Sequence, residues 1–234
     1  MAIPKIIHQT AKTRAIPERW KQFQARVVSL HPGWEYRLWT DEDNLTFVGE
    51  AYPDFLETFK KLPKNIMRAD VIRYLIMHRI GGLYLDLDYE MLRPFDLTDY
   101  PVVLPLEYSE KPVADGPIVC NSIFAAAPGH RLFEAAIREL GSNPPLGPAV
   151  DVIDATGPRF LSRMLRSIRG ECTDVFTPRV ELFSPITPRN RREYNRIVRS
   201  GVAYGIHHCD GSWREYGLLQ GVNVKVKKLI RRLI

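Results

Sequence analysis

The sequence predicts a single α/β domain whose sheet is largely parallel. The 234 residues are enough to bury a sizeable core, and hydrophobic residues make up 45% of them. Segments typical of strands alternate with segments typical of helices from the start of the chain, which is the pattern of α/β folds. No repeat or linker interrupts this alternation, so residues 1–221 are interpreted as one domain.

The first half of the chain contains the best-defined elements. Strands are predicted over residues 3–10 and 34–40, with a helix over residues 17–30 between them. Asp41 or Asp43 is expected to cap a helix that continues toward Pro63. The next helix covers residues 66–80, with Asn65 as its cap and a Gly-Gly pair at 81–82 as a left-handed stop.

The remaining elements are shorter. Strands are predicted over residues 83–88, 102–104, 122–126, 182–183 and 202–206, and helices over residues 129–140 and 158–168. The alternation of these segments continues the α/β pattern to the end of the predicted domain.

Charge and cysteine content restrict the functional class. The net charge is +6, and residues 121–234 carry 18 basic against 10 acidic side chains. The basic runs lack interleaved aromatic residues for stacking bases, so we expect no nucleic-acid partner. Three cysteines without a C-x-x-C pair indicate a reducing compartment, and the first 20 residues lack the apolar stretch of a signal peptide. We therefore expect a cytoplasmic protein.

The last 13 residues, 222–234, read as a basic amphipathic tail. Apolar side chains fall at helical spacing on one stripe, and five Lys and Arg residues occupy the positions between them. This pattern predicts a helix on an anionic membrane surface, which would place the protein peripherally at the cytoplasmic face of the membrane. A helix packed on the domain would show the same periodicity.

Two charged residues stand out within the apolar helix at 66–80. Asp70 and Arg73 lie three residues apart and therefore share a face of that helix. Charged side chains are rarely buried unless they are paired or bound to a ligand. The pair is either a structural ion pair or part of a binding site.

Asp86 and Asp88 follow directly on the predicted strand. In an extended chain the two carboxylates point to the same side, where they repel each other unless a cation joins them. Oxygen ligands of this kind suit Mn²⁺ or Mg²⁺. The end of a strand in an open α/β sheet is also where ligands usually bind.

Other readings of these patterns remain open. A second D-x-D at residues 41–43 is better explained by helix capping. A haloacid-dehalogenase-type phosphatase also has D-x-D after a strand, but Tyr89 and the lack of an Asp-Asp pair count against it. A non-enzymatic module that binds anionic surfaces would explain the basic second half only.

The sequence resembles glycosyltransferase family 32. The specific block is Asp70-x-x-Arg73-Tyr74 followed by Gly81-Gly82-x-Tyr84-x-Asp86-x-Asp88, and the opening Ile3-Pro4-Lys5-Ile6-Ile7-His8-Gln9 resembles the family's first strand. Weaker matches are Asn121, Thr156-Gly157-Pro158 and His207-His208-x-x-Gly211-Ser212-Trp213. The family includes initiating α-1,6-mannosyltransferases and sphingolipid mannosyltransferases, and clostridial glucosylating toxins are remotely similar.

The resemblance implies a GT-A fold, in which a Rossmann-like, mostly parallel sheet is flanked by helices. It also implies a metal-dependent retaining glycosyltransferase. Such an enzyme moves a hexose from a nucleotide-sugar donor, UDP- or GDP-linked, to a glycan or glycolipid acceptor. The implied cofactor is Mn²⁺ or Mg²⁺, and no catalytic base or nucleophile is implied.

The resemblance further implies roles for individual residues. Asp86, Asp88 and Arg73 are the expected catalytic residues. The expected metal ligands are Asp86, Asp88 and His208, with His207 as the alternative to His208. The donor is expected to contact His8, Gln9, Asp70, Arg73, Asp86, Asn121 and Trp213.

Overall fold

The computed structural model describes residues 2–108, 116–147, 149–168, 170, 173–186 and 191–211. Its eight strands are β1 (Ile6–Thr10), β2 (Glu35–Trp39), β3 (Gly82–Leu85), β4 (Tyr89–Met91), β5 (Val102–Val103), β6 (Ile123–Ala126), β7 (Val175–Phe176) and β8 (Gly205–His207). Six of them form a sheet in the order β2-β1-β3-β6-β5-β7, and β4 pairs with β8 in a separate ribbon.

The pairing within the six-stranded sheet is mixed. Strand β1 runs parallel to both β2 and β3, and β5 runs parallel to β7. Strand β6 is antiparallel to both of its neighbours, β3 and β5. Most strands are therefore parallel to a neighbour and the sheet is flanked by helices, which confirms the predicted α/β class.

The helices are α1 (Glu18–Leu30), α2 (Asp41–Ala51), α3 (Leu56–Lys61), α4 (Asn65–Arg79), α5 (Arg131–Ser142), α6 (Val152–Ala155), α7 (Pro158–Ser167), α8 (Val180–Phe183) and α9 (Tyr194–Ser200). Among these described residues, no helix is both long enough and apolar enough to cross a membrane.

Several predicted elements differ from the structure. The single helix expected before Pro63 is broken after Ala51, because Pro53 cannot supply a helical N–H and starts a 3₁₀ turn instead. Thr40, rather than Asp41 or Asp43, is the N-cap of α2, and Asn65 is the first residue of α4 rather than its cap. The strand predicted at residues 182–183 is wrong: these residues end the short helix α8.

Apolar side chains fill both faces of the sheet. On β3, Leu83 and Leu85 pack with Val27 of α1 on one face. Tyr84 packs on the other face with α4 and α5. Successive strand residues point to opposite faces, so this buried strand is covered on both sides. The residues that follow Leu85 are therefore held in a fixed position.

The link between α4 and β3 requires glycine. Gly81 and Gly82 have φ values of +71° and +111°. A Cβ on Gly81 would lie 2.7 Å from the carbonyl oxygen of Ala126, and one on Gly82 would lie 2.6 Å from that of Ile6. The close approach lets α4 and β3 bring their polar residues to the same end of the sheet.

Candidate active site

The backbone of Asp86 is fixed by two neighbouring elements. Its N–H donates to the carbonyl of Ser122 at 2.8 Å, just before β6, and its carbonyl accepts from the side chain of Gln9 on β1 at 3.2 Å. The ladder of β3 ends at Leu85, so residues 86–88 form a turn rather than the predicted strand extension. The turn still brings both aspartates to one side.

The carboxylate of Asp86 has two different sides. Oδ1 lies 3.0 Å from Arg73 Nη2 and accepts the hydroxyl proton of Tyr84 at 2.7 Å. Oδ2 lies 3.8 Å from His207 Nε2. Burial raises the pKa of Asp86, opposed by the charge of Arg73. One oxygen is therefore held by the protein core while the other faces His207.

Asp88 is held by the segment that follows β8. Its Oδ1 lies 3.2 Å from His207 Nε2, and its Oδ2 accepts the backbone N–H of Asp210 at 2.8 Å. Burial alone would raise the pKa of Asp88, but the bond from His207 and its charge hold it below its ordinary value. Asp88 is consequently ionised at neutral pH.

The structure brings His207, rather than His208, to the two aspartates. Strand pairing places His207 opposite Tyr89, whereas the imidazole of His208 lies 2.9 Å from Glu90 Oε2. Consecutive residues along an extended chain point to opposite sides, so only one of the two histidines can face Asp88. The expectation that His208 joins this cluster is corrected in favour of the alternative.

The cluster fits a divalent cation. One ligand atom each from Asp86, Asp88 and His207 lies within 4.8 Å of the others. Burial would lower the pKa of His207, but its hydrogen bond to Asp88 raises it well above the ordinary value. A positive charge already lies between the carboxylates, and a bound cation would replace that proton. Carboxylate and imidazole groups are both common ligands of divalent metal ions.

A second polar cluster lies buried behind Asp86. Asp70 Oδ1 is 3.3 Å from Arg73 Nη1 and accepts from Asn121 Nδ2 at 3.0 Å, while Oδ2 accepts from the Thr156 hydroxyl at 2.9 Å. Burial raises the pKa of Asp70 to about 6, against the opposing charge of Arg73. The residues that share this cluster come from three separate parts of the chain.

Arg73 joins the two clusters. It contacts Asp70 and Asp86 and donates to the carbonyl of Asn121 at 2.8 Å. Its guanidinium also lies over the Tyr84 ring, 4.9 Å from the ring centre. Burial would lower the pKa of Arg73, but the nearby Asp86, Tyr84 and Asp70 raise it, so Arg73 remains charged. Its buried Nε has no hydrogen-bond partner among the described residues.

Two residues expected at the donor lie in the core instead. His8 is 0% exposed. Its Nδ1 accepts from Trp39 at 3.0 Å, and its Nε2 donates to the carbonyl of Gly81 at 2.9 Å. Burial lowers the pKa of His8 to about 4, so it is neutral. Gln9 is also 0% exposed and bonds Tyr36 as well as Asp86. Both residues support the site from behind.

The other predicted site residues have different outcomes. Asn121 reaches the site through Asp70 and Arg73, as described above. Trp213 lies outside the described residues.

The structure adds residues that the sequence did not single out for this site. The hydroxyl of Thr10 lies 3.0 Å from the hydroxyl of Tyr84. The Tyr84 hydroxyl in turn donates a hydrogen bond to Asp86. Burial raises the pKa of Glu107, and the charges of His207 and Asp86 act on it in opposite directions, so this carboxylate lies within electrostatic range of the cluster. No local motif marks Glu107, because it approaches the site only through the fold.

A family match covers the strand and helix that carry this geometry. Residues 17–105 match the family described as a glycosyltransferase sugar-binding region containing a DXD motif. The matched range includes Asp70, Arg73, Asp86 and Asp88. Residues 17–105 therefore resemble the sugar-binding region of the DXD glycosyltransferases. The resemblance indicated by the sequence is confirmed, and the phosphatase and anionic-surface alternatives lose their support.

Curated relatives of this glycosyltransferase region are mannosyltransferases. Inositol phosphoceramide mannosyltransferase 3 of Schizosaccharomyces pombe is 41% identical over 167 residues, which cover 69% of this chain and 44% of that protein. A mannosyl phosphorylinositol ceramide synthase of Saccharomyces cerevisiae is 40% identical over 163 residues, covering 68% of this chain and 41% of that protein. The chain thus spans less than half the length of these relatives.

A solved structure supports the fold. The PaToxG glycosyltransferase superposes with a TM-score of 0.54 at 18% sequence identity, covering 86% of this chain and 79% of that one. The likeness confirms the GT-A architecture expected from the sequence.

Proposed function

We propose that this protein is a metal-dependent retaining glycosyltransferase that transfers a hexose from a UDP- or GDP-sugar to a glycan or glycolipid acceptor. The observation that carries the proposal is the convergence of Asp86, Asp88 and His207, with Arg73 bonded to the first of them. A nucleoside diphosphate leaving group is anionic, and this end of the sheet combines a cation site with a buried arginine.

The two aspartates and His207 would hold the cation. Mn²⁺ or Mg²⁺ bound there would stabilise the negative charge that gathers on the diphosphate as the glycosidic bond breaks. Asp88 supports this role because it is ionised and its second oxygen is held by Asp210. His207 would release its proton on binding the ion, since only the neutral imidazole is a ligand.

Arg73 and Asp70 would serve mainly to orient Asp86. Their side chains are 7% and 4% exposed, compared with 21% for Asp86. The fixed charge of Arg73 keeps one Asp86 oxygen in place, which leaves the other oxygen for the cation or the donor. Holding Asp86 before the donor arrives avoids reorganisation during the reaction. In addition to orienting Asp86, Asp70 or Arg73 would contact sugar hydroxyls of the donor.

Retention requires a defined route of attack. The acceptor would attack from the face of the leaving group, with a phosphate oxygen of the donor taking its proton. Glu107 is the carboxylate to test for a covalent route, because it lies within electrostatic range of Asp86 and His207. A sugar adduct trapped on Glu107 by mass spectrometry, and absent in Glu107→Gln, would overturn attack from the leaving-group face.

Donor hydrolysis tests the proposed activity without knowledge of the acceptor. A panel of UDP- and GDP-sugars is incubated with the protein and Mn²⁺, and release of the nucleoside diphosphate is measured. Mannose donors come first, because the relatives are named for mannose transfer. The proposal expects one donor to be hydrolysed, with activity lost in EDTA and restored by Mn²⁺. Full activity in EDTA would contradict the metal site.

A glycolipid is the first acceptor class to test. The relatives are named for transfer to inositol phosphoceramide, and the tail at residues 222–234 carries the basic amphipathic pattern described above. The tail lies outside the described residues, and its membrane role is proposed from sequence alone. Five basic residues near an anionic leaflet would each add about 1 kcal/mol of attraction. Unchanged binding to anionic liposomes after deletion of residues 225–234 would exclude that role.

A further inference from the structure

The segment after β8 is attached to α1 by side chains 190 and 191 positions away in sequence. Asp210 Oδ1 lies 3.1 Å from Arg19 Nη1, and Asp210 Oδ2 accepts the indole N–H of Trp20 at 3.0 Å. The backbone N–H of the same Asp210 donates to Asp88 at 2.8 Å. We call Arg19, Trp20 and Asp210 the α1 anchor. One residue thus connects the surface of α1 with the second aspartate of the D-x-D motif.

Neighbouring contacts bring α1 against the β4–β8 ribbon. Phe23 stacks on His208, with ring centres 5.0 Å apart and planes at 8°. Arg26 donates to the carbonyl of Met91 on β4. Arg19, Phe23 and Arg26 follow the i, i+4, i+7 spacing of one helix face. This face of α1 therefore lies along the β4–β8 ribbon, whose strand β8 carries His207.

The turn between His207 and Asp210 is strained and depends on its ends being fixed. Cys209 has a φ of +49°, which an L residue other than glycine adopts at some cost. The N–H of His208 donates to the carbonyl of Asp88 at 3.0 Å, so the turn begins and ends on Asp88. A strained conformation persists only when its surroundings hold it, and the side-chain contacts of Asp210 do so.

We infer that Trp20 and Arg19 are positioning residues for the cation site, acting through Asp210 on Asp88 and His207. The inference rests on the metal-binding part of the proposed function. Residues outside the ligand set that orient a ligand typically change metal affinity 10- to 100-fold when they are replaced. Trp20 and Arg19 lie before the D-x-D motif by more than 60 residues, and nothing in their local sequence marks such a role.

Substitutions of the two α1 residues should change Mn²⁺ affinity by different amounts. The Arg19 side chain is 49% exposed, so water and salt weaken its ion pair with Asp210. The indole N–H of Trp20 supplies the shorter hydrogen bond to Oδ2, at 3.0 Å compared with 3.5 Å from Arg19 Nη1. Trp20→Phe removes that donor but keeps an aromatic ring, and should have the larger effect. Arg19→Gln should have a smaller effect, and Arg19→Lys should restore affinity.

Hydrogen exchange tests the anchor without any metal. Amide exchange in the peptide that ends with Asp210 is followed by mass spectrometry in the intact protein. Trp20→Phe should accelerate this exchange about tenfold, whereas Lys21→Gln should leave it unchanged. Lys21 is the matched control, because it lies on the same helix and pairs with Glu18 at 3.2 Å. Equal exchange in both variants would overturn the anchor.

Mn²⁺ affinity tests the positioning role. Free Mn²⁺ is measured by electron paramagnetic resonance with proteins whose thermal unfolding temperatures match. Trp20→Phe should raise the Kd about tenfold, and combining it with Asp210→Ala should add little to Asp210→Ala alone. Unchanged Mn²⁺ affinity in Trp20→Phe would overturn the inference, whatever the effect of Asp210→Ala. Failure of the unsubstituted protein to bind Mn²⁺ would instead refute the proposed metal site, while hydrogen exchange would still decide on the anchor.

Discussion

The chain contains two D-x-D sequences in very different surroundings. Asp43 of the first bonds the backbone and hydroxyl of Thr40 in a capping box at the start of α2, and pairs with the exposed Arg14 at 3.1 Å. Asp86 and Asp88 of the second meet Arg73, Tyr84 and His207, which come from three other positions in the fold.

The two D-x-D motifs differ in where the partners of their carboxylates lie in the sequence. The hydrogen-bond donors to the Asp43 carboxylate, Arg14 and Thr40, both bind Oδ2 and come from the same stretch of the chain, so this carboxylate serves a local purpose. Asp86 and Asp88 each have one oxygen fixed by a donor and another turned toward His207. Neighbouring carboxylates left in this state require a positive charge, which is the basis of the predictions below.

Asp88→Asn should produce the largest effect, because it removes a ligand charge without changing shape. Stabilisation of a leaving group by a bound metal is worth several kcal/mol, so donor turnover should fall by about a hundredfold or more. Mn²⁺ affinity, measured by titration, should fall with it. Asp86→Asn should also be severe, with more of its effect on donor KM. If turnover persists in Asp88→Asn, the second D-x-D motif is no more important for activity than the first.

His207→Gln should weaken Mn²⁺ binding by at least about tenfold, since even residues beyond the ligand set typically have such an effect. The matched control is His208→Gln, whose imidazole bonds Glu90 instead. Its effect on Mn²⁺ affinity should stay within about threefold. A larger loss in His208→Gln than in His207→Gln would reverse the assignment of the third ligand. Isothermal titration of both variants makes the comparison direct.

The free energy of unfolding should depend on pH through His8, which lies behind the second D-x-D motif. The pKa of His8 is about 4 in the folded protein and 6.5 ordinarily. Between these values the unfolded chain binds more protons at this residue, so its contribution to stability is lost as pH falls from 6.5 to 4. The shift corresponds to about 3 kcal/mol.

Denaturant unfolding at several pH values checks the His8 prediction. Over that interval the free energy of unfolding should fall more steeply in the parent protein than in His8→Gln, which has no group to protonate at this position. Asp70 acts in the opposite direction, because its raised pKa favours the folded state as pH falls. The difference between parent and variant removes that contribution. Equal slopes would show that His8 is not held neutral.

Asp43→Asn should produce the smallest effect. Loss of the capping box should lower the free energy of unfolding by about 1 kcal/mol, and the exposed pair with Arg14 adds little. Donor turnover and Mn²⁺ affinity should remain those of the parent. A drop in activity comparable to that of Asp88→Asn would show that the surroundings of the two motifs do not distinguish them.

Features that depend on neighbours in sequence were predictable. The spacing of Asp70 and Arg73, the Gly81-Gly82 turn and the pair Asp86–Asp88 together indicated both the fold and the family. Local chemistry explains this success, because a left-handed glycine pair ends a helix whatever the rest of the chain does. It also explains the correct interpretation of the D-x-D at residues 41–43, whose capping partner Thr40 is adjacent.

Features that depend on register and packing were not predictable. Whether His207 or His208 faces Asp88 follows from the pairing of β8 with β4, and a shift of one residue would exchange them. The burial of His8, the approach of Glu107 and the bond from Trp20 to Asp210 likewise arise only when distant segments meet. The sequence alone determined which groups could bind a cation. The tertiary structure decided which of these groups lie close enough to share one, because an ion is bound by atoms in space rather than by residues in order.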